Sequence, residues 1–491
     1  MKKPMRWYDY ITINIYWLGF NIASGTITPL LLPYLVALFV PAEQKNTYLA
    51  NIRVIGLAMA MLVQPVAGML SDRSTHPLGR RRPYIIGGTL FNLLFLLIIG
   101  LSPAFVDVTL DGTFLAGVSL AYLVLLAGNL LLQLSSNVAL GAVLGLIPDL
   151  VPDHQRGRAS GVKAVMELLP LLGAIVIGGL LGKGQVWLTI GIVMAGFLIC
   201  LLITVFMVHE KPLEEKPAGG VWEPILRLVG LTAIFVAATR AAVWVVDYSG
   251  DKLAQGSVDV AIQVAVVGLV GLLGMAGSIF VGVYLGAWVG IGKDAPQQTS
   301  FIWWVINRLL FLAAVGSVQG FALYFLDDVI QIADAELWTG ILMAVVAGFL
   351  VVTALVGGYL ADRVGRKRLV ALSAVVAAVG MLVLLLAHNI ALVMVGGSII
   401  GIGAGTFMAT NWALGTDLVP PKEAGRYLGI SNLAGAGAGI VGAGIGGPMA
   451  DFFNILRPGL GYQVIFALYG ALFLLSIAAL TRVKVRPAQP A

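Results

Sequence analysis

The stretch Gly358-Tyr-Leu-Ala-Asp-Arg-Val-Gly-Arg-Lys-Arg368 lies between two long apolar runs and has a counterpart in the first half of the chain. The counterpart runs from Gly68 to Arg82 and keeps the first glycine, the Asp-Arg pair and a second glycine followed by three basic residues. A second motif follows in each half, Pro148-Asp-Leu-Val-Pro152 and then Thr416-Asp-Leu-Val-Pro420. Two motifs in the same order in both halves indicate an internal repeat.

The composition around these motifs is that of a membrane protein. Of the 491 residues, 59% are hydrophobic and only 11% are charged, and the mean hydropathy is +0.96. Apolar runs of about 20 residues or more recur along the chain, which is the length that a helix needs to cross a bilayer. These runs are continuous rather than alternating, which favours helices over β-barrel strands. The sequence therefore predicts an all-α membrane protein.

Charged and Pro/Gly-rich segments divide the chain into predicted spans. The spans lie near 9–40, 49–70, 83–102, 115–148, 158–181, 186–208, 225–248, 258–290, 300–327, 338–360, 369–387, 390–417, 426–450 and 460–481. Each repeat then holds six spans, and the two spans between the repeats form an inserted hairpin. The predicted domains are an N-terminal six-helix bundle at 1–208, a cytoplasmic linker at 209–224, the inserted transmembrane hairpin at 225–299 and a C-terminal six-helix bundle at 300–491.

Lysine and arginine residues are concentrated in alternate loops, and short basic loops stay on the cytoplasmic side. We therefore expect both termini in the cytoplasm and the protein in the cell (plasma) membrane, with the lipid bilayer as a partner. The first apolar run has no signal-peptide cleavage site, so it is expected to be a retained span. The net charge of +6 follows from the same loop rule, so no nucleic-acid partner is predicted. The single cysteine, Cys200, excludes an intrachain disulfide.

The repeated stretch resembles the signature of the major facilitator superfamily, G-x-x-x-D-R/K-x-G-R/K-R/K-R/K, which lies between the second and third spans of a repeat. The copy at 358–368 fits it fully. The longer first copy, together with Val63-Gln-Pro65 and Pro83-Tyr84, is more similar to the sucrose/proton symporters, in the glycoside-pentoside-hexuronide-like branch. This resemblance implies the major facilitator fold, with two pseudosymmetric six-helix bundles that transport by alternating access.

The charges of the repeated motifs are candidates for gating. An acid at the cytoplasmic end of a span can pair with a nearby arginine and with the N-terminus of a neighbouring helix, and a glycine lets the loop turn back. The alternative is that these charges only set the topology. The predicted gating residues are Asp72, Arg73, Gly79, Arg80, Asp149, Asp362, Arg363, Gly365, Arg366 and Asp417.

Polar residues inside spans are expected to face the protein interior, where they serve function. Spans one and four of each repeat line the central cavity in the family that the chain resembles. Amides can bond sugar hydroxyls and aromatic faces can cover the sugar ring. The predicted substrate-binding residues are Asn21, Gln133, Asn137, Asn307, Gln319, Asn411 and Trp412.

Gln133 departs from the sucrose carriers that the chain resembles, which have an acid in this stretch. An amide cannot bind and release a proton near neutral pH, so we place coupling elsewhere. Glu167 in the fifth span is the best remaining carboxylate, with Arg308 as a partner from the other repeat. The alternative is that Lys163, one turn earlier, simply neutralises Glu167. Arg53, Asp327 and Asp328 near the outer ends are candidates for an outer gate, and the two acids are equally plausible as solvated loop charges.

The predicted function is secondary active transport of a small molecule, a sugar or glycoside, coupled to a proton or another cation. Two alternatives remain open: an efflux carrier for lipophilic compounds, as fourteen-span members of the family often are, and a non-transporting membrane scaffold. No metal-spacing cluster or nucleophile motif is present in the sequence. We therefore predict no catalytic residues, no metal, no cofactor and no enzymatic activity.

Overall fold

A computed structural model describes residues 5–108, 118–152, 155–210, 222–256, 258–418 and 424–484. Most of the predicted linker, at residues 211–221, lies outside this part of the chain. The helices are α1 (Trp7–Thr26), α2 (Leu32–Phe39), α3 (Lys45–Asp72), α4 (Arg82–Leu101), α5 (Leu120–Val143), α6 (Leu146–Leu150), α7 (Arg156–Leu168), α8 (Ala174–Leu181), α9 (Val186–Met207), α10 (Trp222–Gln255), α11 (Val260–Ile291), α12 (Thr299–Phe325), α13 (Ala335–Val364), α14 (Arg366–Leu385), α15 (Ile390–Leu418), α16 (Ala424–Leu456) and α17 (Leu460–Thr481).

Fourteen helical segments of the described chain are long and apolar enough to cross a membrane, which confirms the predicted number of spans and the all-α fold class. The first predicted span consists of two helices, α1 and α2, joined by a π-helical turn at Ile27–Leu31. Pro29 in this turn and Pro33 in the first turn of α2 lack the N–H that a regular helical ladder needs. The same effect at Pro170 separates α7 from α8 by a 3-10 turn at Leu169–Gly173.

The chain forms two compact units that do not follow the predicted domains residue by residue. Unit 1 contains residues 1–41, 59–228 and 336–344, and unit 2 contains residues 42–58, 229–335 and 345–491. Each unit therefore takes a short segment from the other half of the sequence. The inserted hairpin belongs to unit 2 from residue 229 onward, and there α11 packs on α12 and α16. The predicted domain boundaries stay a prediction.

Close helix contacts in both units depend on small residues. In unit 1, a Cβ on Gly141 would lie 2.4 Å from the Gln64 carbonyl oxygen of α3. In unit 2, a Cβ on Gly405 would lie 2.2 Å from the Leu350 carbonyl oxygen of α13. Gly405 belongs to the Gly-rich stretch at 401–405, which the sequence predicts as a helix-packing segment rather than a nucleotide loop, and the structure confirms this.

Candidate functional site

The first copy of the repeated motif forms a charged cluster in unit 1, where the ends of α3, α4 and α6 meet. Arg81 is the centre of this cluster and is only 5% exposed. Its Nε lies 3.0 Å from Asp149 Oδ2, its Nη1 donates to Ser71 Oγ at 2.7 Å, and its guanidinium also pairs with Asp72. Arg80 reaches the same Asp149, with 3.1 Å between Nε and Oδ2. The structure thus brings together predicted gating residues Asp72, Arg80 and Asp149, and adds Arg81.

The second copy makes the corresponding contact in unit 2. Arg366 Nη1 donates to Asp417 Oδ1 at 2.6 Å and to the Ala413 carbonyl oxygen at 3.1 Å. In both repeats, therefore, the arginine after the loop glycine pairs with the aspartate of the second motif. Charges that only set the topology would not need such a pair. The geometry therefore favours a gating contact that holds one conformation in place, here called a latch, over the topological alternative.

The loop glycines adopt the backbone conformation expected of a tight turn. Gly79 has φ +105° and Gly365 has φ +96°, a region that side-chain-bearing residues rarely occupy. The remaining predicted gating residues contribute less defined contacts. Arg363 is exposed and stacks over the Tyr359 ring at 4.5 Å, Arg73 is partly buried, and the side chain of Asp362 lies outside the described part of the structure.

The two ion-pair sites differ in burial, and this predicts a difference in strength. Lys367 stands where the first copy has Arg81, and its Nζ donates to the Val483 carbonyl oxygen at 2.6 Å rather than to an acid. The Arg366–Asp417 pair is 34% and 40% exposed, whereas the Arg81 and Asp149 side chains are 6% and 18% exposed. Solvent screens an exposed pair more strongly than a buried one, so we expect the unit 1 cluster to be the stronger latch.

Glu210, just after α9, is a residue of this cluster that the sequence does not single out. Its Oε2 accepts the Arg81 backbone N–H at 2.8 Å, and a Cβ on Gly79 would lie 2.8 Å from that same oxygen. Among the described residues Glu210 Oε1 has no hydrogen-bond partner. Burial raises the pKa of the Glu210 carboxyl, against an opposing effect of Arg81 and Arg82.

A Glu210→Gln variant should flatten the dependence of thermal stability on pH. With its pKa raised, the folded protein binds a proton at Glu210 more readily than the unfolded chain does, so stability falls as pH rises from the unfolded pKa through the raised folded pKa. Glutamine can still accept the Arg81 N–H but does not ionise. The melting temperature in detergent, measured across pH, checks this; Glu43→Gln, at an exposed acid, is the control. An unchanged pH profile in Glu210→Gln would contradict the assignment.

The predicted coupling residue Glu167 lies in unit 1 beside α1. Its Oε1 is 2.8 Å from Lys163 Nζ, one turn earlier on α7. The same Lys163 Nζ lies 4.0 Å from the ring centroid of Trp17, and Trp17 O accepts a hydrogen bond from Asn21 Nδ2 at 2.9 Å. The intrahelical pair that was the alternative for Glu167 is therefore formed, and it is part of a larger cluster with Trp17, which sequence reasoning missed. An aromatic residue one turn before Asn21 was the available signal.

The two predicted substrate residues of α5 lie together and contact each other. Asn137 Nδ2 donates to the backbone carbonyl oxygen of Gln133 at 2.8 Å and to the side-chain Oε1 of Gln133 at 3.5 Å. Asn137 is buried, whereas Gln133 is partly exposed. Of this pair, Gln133 has the more accessible amide for a ligand.

In unit 2 the structure brings four predicted residues to one place between α12 and α15. Asn411 Nδ2 donates to Asn307 Oδ1 at 2.8 Å, and both amides are fully buried. Arg308 Nη1 donates to Asn411 Oδ1 at 3.3 Å, and its Cζ lies 4.9 Å from the Trp412 ring centroid. Asn307 and Asn411 thus position Arg308, while Arg308 and the half-buried Trp412 are better placed to contact a ligand. Gln319 lies apart from this group and is exposed.

Each unit therefore presents a cation over a tryptophan face, Lys163 over Trp17 and Arg308 over Trp412. No carboxylate of the described residues lies within 4 Å of the Arg308 guanidinium, and its Nε has no hydrogen-bond partner there. A planar donor beside an aromatic face can bond hydroxyl groups while the ring covers an apolar surface.

Comparisons with known proteins show to which family the sequence and the fold are similar. A model of the Major Facilitator Superfamily matches residues 15–329 and 309–491. Sucrose transport protein SUC3 of Arabidopsis thaliana is 30% identical over 212 residues, 38% of this chain and 35% of that protein. Multidrug resistance protein MdtG of Proteus mirabilis is 31% identical over 191 residues, 38% of this chain and 45% of that protein.

The similarity to these curated relatives is partial, since the matched segments span less than half of their length. The fold likeness is more extensive. The structure of a D-xylose-proton symporter matches with a TM-score of 0.62 over 98% of this chain and 97% of that chain. At 16% sequence identity, this likeness shows the fold alone.

Proposed function

This chain belongs to the Major Facilitator Superfamily, and from that premise we propose that it transports a sugar or glycoside across the membrane by alternating access, coupled to a proton or another cation. The observation that supports it most is the repeated Arg–Asp pair, Arg80–Asp149 in unit 1 and Arg366–Asp417 in unit 2. In the predicted orientation, with both termini in the cytoplasm of a cell-membrane protein, both pairs lie at cytoplasmic ends of spans. An interaction made in one conformation and broken in the other sets the balance between conformations.

The sugar assignment rests on chemistry and on the relatives. The cation-over-tryptophan pairs offer an apolar ring face next to charged hydrogen-bond donors, which suits a sugar ring with its hydroxyl groups. SUC3 is named as a sucrose transport protein and the structural neighbour as a D-xylose-proton symporter. The substrate-binding set that we propose is Asn21, Gln133, Asn137, Asn307, Gln319, Asn411 and Trp412. Arg308, which we propose with Glu167 for coupling, joins Trp412 in contacting the sugar directly.

The test is uptake by proteoliposomes across a panel of monosaccharides and disaccharides, with and without an inward pH gradient. We expect saturable uptake of at least one sugar, accelerated by the gradient. Equal uptake rates with and without the gradient would contradict proton coupling but would still support sugar transport. No uptake and no counterflow of any sugar would remove the sugar assignment.

Export of lipophilic compounds is the second candidate, because the matched segment of MdtG belongs to a multidrug resistance protein. A wide, apolar binding site would favour it, whereas buried amides and arginine favour the sugar. Energy-dependent accumulation of a fluorescent lipophilic cation inside everted vesicles, together with failure of every sugar in the panel, would support export over uptake.

A Glu167→Gln variant tests the coupling role. If the carboxylate of the Lys163–Glu167 pair carries the proton, accumulation driven by a pH gradient should fall about tenfold or more, because an amide does not ionise, while sugar counterflow should persist. Glu223→Gln is the matched control, since Glu223 forms the same one-turn pair with Arg227 on α10 at 2.5 Å and is 77% exposed. Full accumulation by Glu167→Gln would show that Glu167 only neutralises Lys163.

A further inference from the structure

Unit 2 contains a short segment from the first half of the sequence, residues 42–58, which includes the first turns of α3. The first N–H groups of a helix have no partner within the helix. In α3, Asp451 of α16 accepts hydrogen bonds from two of these N–H groups, those of Asn46 and Thr47. Asp451 Oδ1 accepts from the Asn46 backbone N–H at 3.2 Å and from Asn46 Nδ2 at 2.8 Å, and its Oδ2 accepts from the Thr47 backbone N–H at 2.6 Å.

This carboxylate is buried without a cation beside it. Asp451 is 5% exposed, and no lysine, arginine or histidine nitrogen of the described chain lies within 4 Å of its oxygens. Its charge is therefore balanced by neutral donors and by the positive end of the α3 dipole. A carboxylate in this setting holds the helix end strongly only while it is ionised.

Asn46 offers what the protonated form would need. The residue is 1% exposed and its Oδ1 has no hydrogen-bond partner among the described residues, although its Nδ2 contacts Asp451. A protonated carboxyl is a donor, and rotation of the Asn46 amide would present Oδ1 as the acceptor. The Asn46–Asp451 pair can thus accommodate a proton, with fewer hydrogen bonds to the first turn of α3 than the ionised form makes.

The charged neighbours of Asp451 are few and are already engaged. Tyr462 of α17 accepts from Asn46 Nδ2 at 3.4 Å and donates to Asp328 Oδ2 at 2.5 Å, and Lys45 pairs with Asp328 at 2.7 Å. Lys45 Nζ also lies 4.6 Å from the ring centroid of Tyr324. Gly250 of α10 lies against Phe452 of α16 near this end. The titratable groups around it on α10, Asp247, Tyr248, Asp251 and Lys252, are exposed, as is Glu43. Asp328, one of the predicted outer-gate acids, is therefore paired rather than solvated, and Asp327 is exposed.

We propose that Asp451 is a proton-binding site that controls the outer gate: the ionised carboxylate holds residues 42–58 on α16, and protonation from outside releases them. The proposal rests on the proposed alternating-access function and on the predicted orientation, which places Lys45 and Asp451 at outer ends of spans. It assigns the external proton to a residue other than Glu167. A site of this kind would let an acidic exterior favour the outward-open conformation.

Thiol accessibility tests this directly. Ala50 is 2% exposed, and its Cβ lies 2.5 Å from the position of a Cβ on Gly447 of α16, so Ala50→Cys in a Cys200→Ala background reports separation of the two helices. Labelling by a membrane-impermeant thiol reagent on intact cells is expressed relative to Glu43→Cys, an exposed position, at the same pH, because the reactive thiolate fraction falls as the pH falls. On this relative scale, labelling of Ala50→Cys should rise about fivefold or more between about pH 8 and about pH 5.5. Asp451→Asn, which cannot ionise, should give high labelling at every pH.

Asp251→Asn is the matched control, because it removes the same charge from an exposed acid of α10 that has no part in the proposed gate, and its labelling should follow the parent. If Asp451→Asn does not fold, Asp451→Glu serves instead, since it keeps an ionisable group and should keep a pH response. The proposal would be overturned if the Asp451→Asn variant kept the pH response of labelling. Loss of the response in Asp328→Asn, while Asp451→Asn kept it, would assign the proton to Asp328 instead. Labelling needs no sugar, so a failure of the proposed substrate class would show separately, as absent uptake with a normal labelling profile.

Discussion

Replacement of Arg81 with alanine should produce the largest loss of stability and transport of any single change at the repeated motifs. Arg81 is 5% exposed and binds Asp149, Asp72 and Ser71 together. Its removal leaves the 18%-exposed Asp149 with one arginine instead of two and leaves Ser71 Oγ without this donor. Removing one member of a buried ion pair costs about 3–5 kcal/mol, and the exposure of Asp72 places the expected cost at the lower end of that range.

Thermal unfolding in detergent measures the stability loss, and initial uptake in proteoliposomes, normalised to inserted protein, measures the transport loss. We expect uptake to fall about tenfold or more. Arg366→Ala is the matched control, since it breaks the half-exposed Arg366–Asp417 pair of the other repeat and should cost about 1 kcal/mol or less. Equal effects of the two substitutions would contradict the view that the unit 1 cluster is the stronger latch.

Replacement of Arg308 with alanine should abolish most substrate binding while leaving the protein folded. Arg308 stacks over Trp412 and donates to Asn411, whereas the Asn307–Asn411 pair that shapes the site does not depend on it. Losing a charged hydrogen-bond donor to a ligand costs about 2–3 kcal/mol, which corresponds to a rise of about thirtyfold or more in the apparent KM. Arg308→Lys keeps the charge but loses the planar donor and should recover only part of the affinity.

Concentration-dependent sugar uptake and equilibrium binding by tryptophan fluorescence check this expectation. Arg482→Ala is the matched control, because Arg482 lies over the Trp303 ring at 5.8 Å, in the same unit but exposed and after the last span. It should leave KM unchanged. A KM for Arg308→Ala equal to that of the parent protein would remove Arg308 and Trp412 from the proposed site.

Features that depend on local sequence were predicted well. The number of spans follows from the length of apolar runs, and the turns at Gly79 and Gly365 follow from glycine between charged helix ends. The repeat also indicated that Asp149 and Asp417 share a role, and each pairs with the equivalent arginine. These features need only helix geometry and the cost of exposing polar groups to lipid.

Features that depend on which helices pack together were not predictable in the same way. The predicted gating arginines, Arg73, Arg80, Arg363 and Arg366, do not include Arg81, which is buried and contacts both Asp149 and Asp72. Glu210 and Asp451 were missed because their partners lie far away along the chain, at Arg81 and Asn46. Asn307 and Asn411 stay predicted ligand contacts, and composition and spacing did not reveal that their amides also pair with each other.

Residues 42–58 are synthesised early but pack in unit 2 with residues that are synthesised much later. This order has a consequence for biogenesis. The Asn46–Asp451 contact joins residues that are 405 positions apart, so at about 5–20 residues per second the ribosome needs roughly 20–80 seconds to supply the second partner after the first. During that interval Asn46 has left the ribosomal exit tunnel without α16. Lys45 and Arg53 wait for nearer partners, Asp328 and Gly316, which follow 283 and 263 positions later. Insertion factors that shield such polar groups would therefore matter most for the second span, and late truncations would leave an early segment exposed to quality-control proteases.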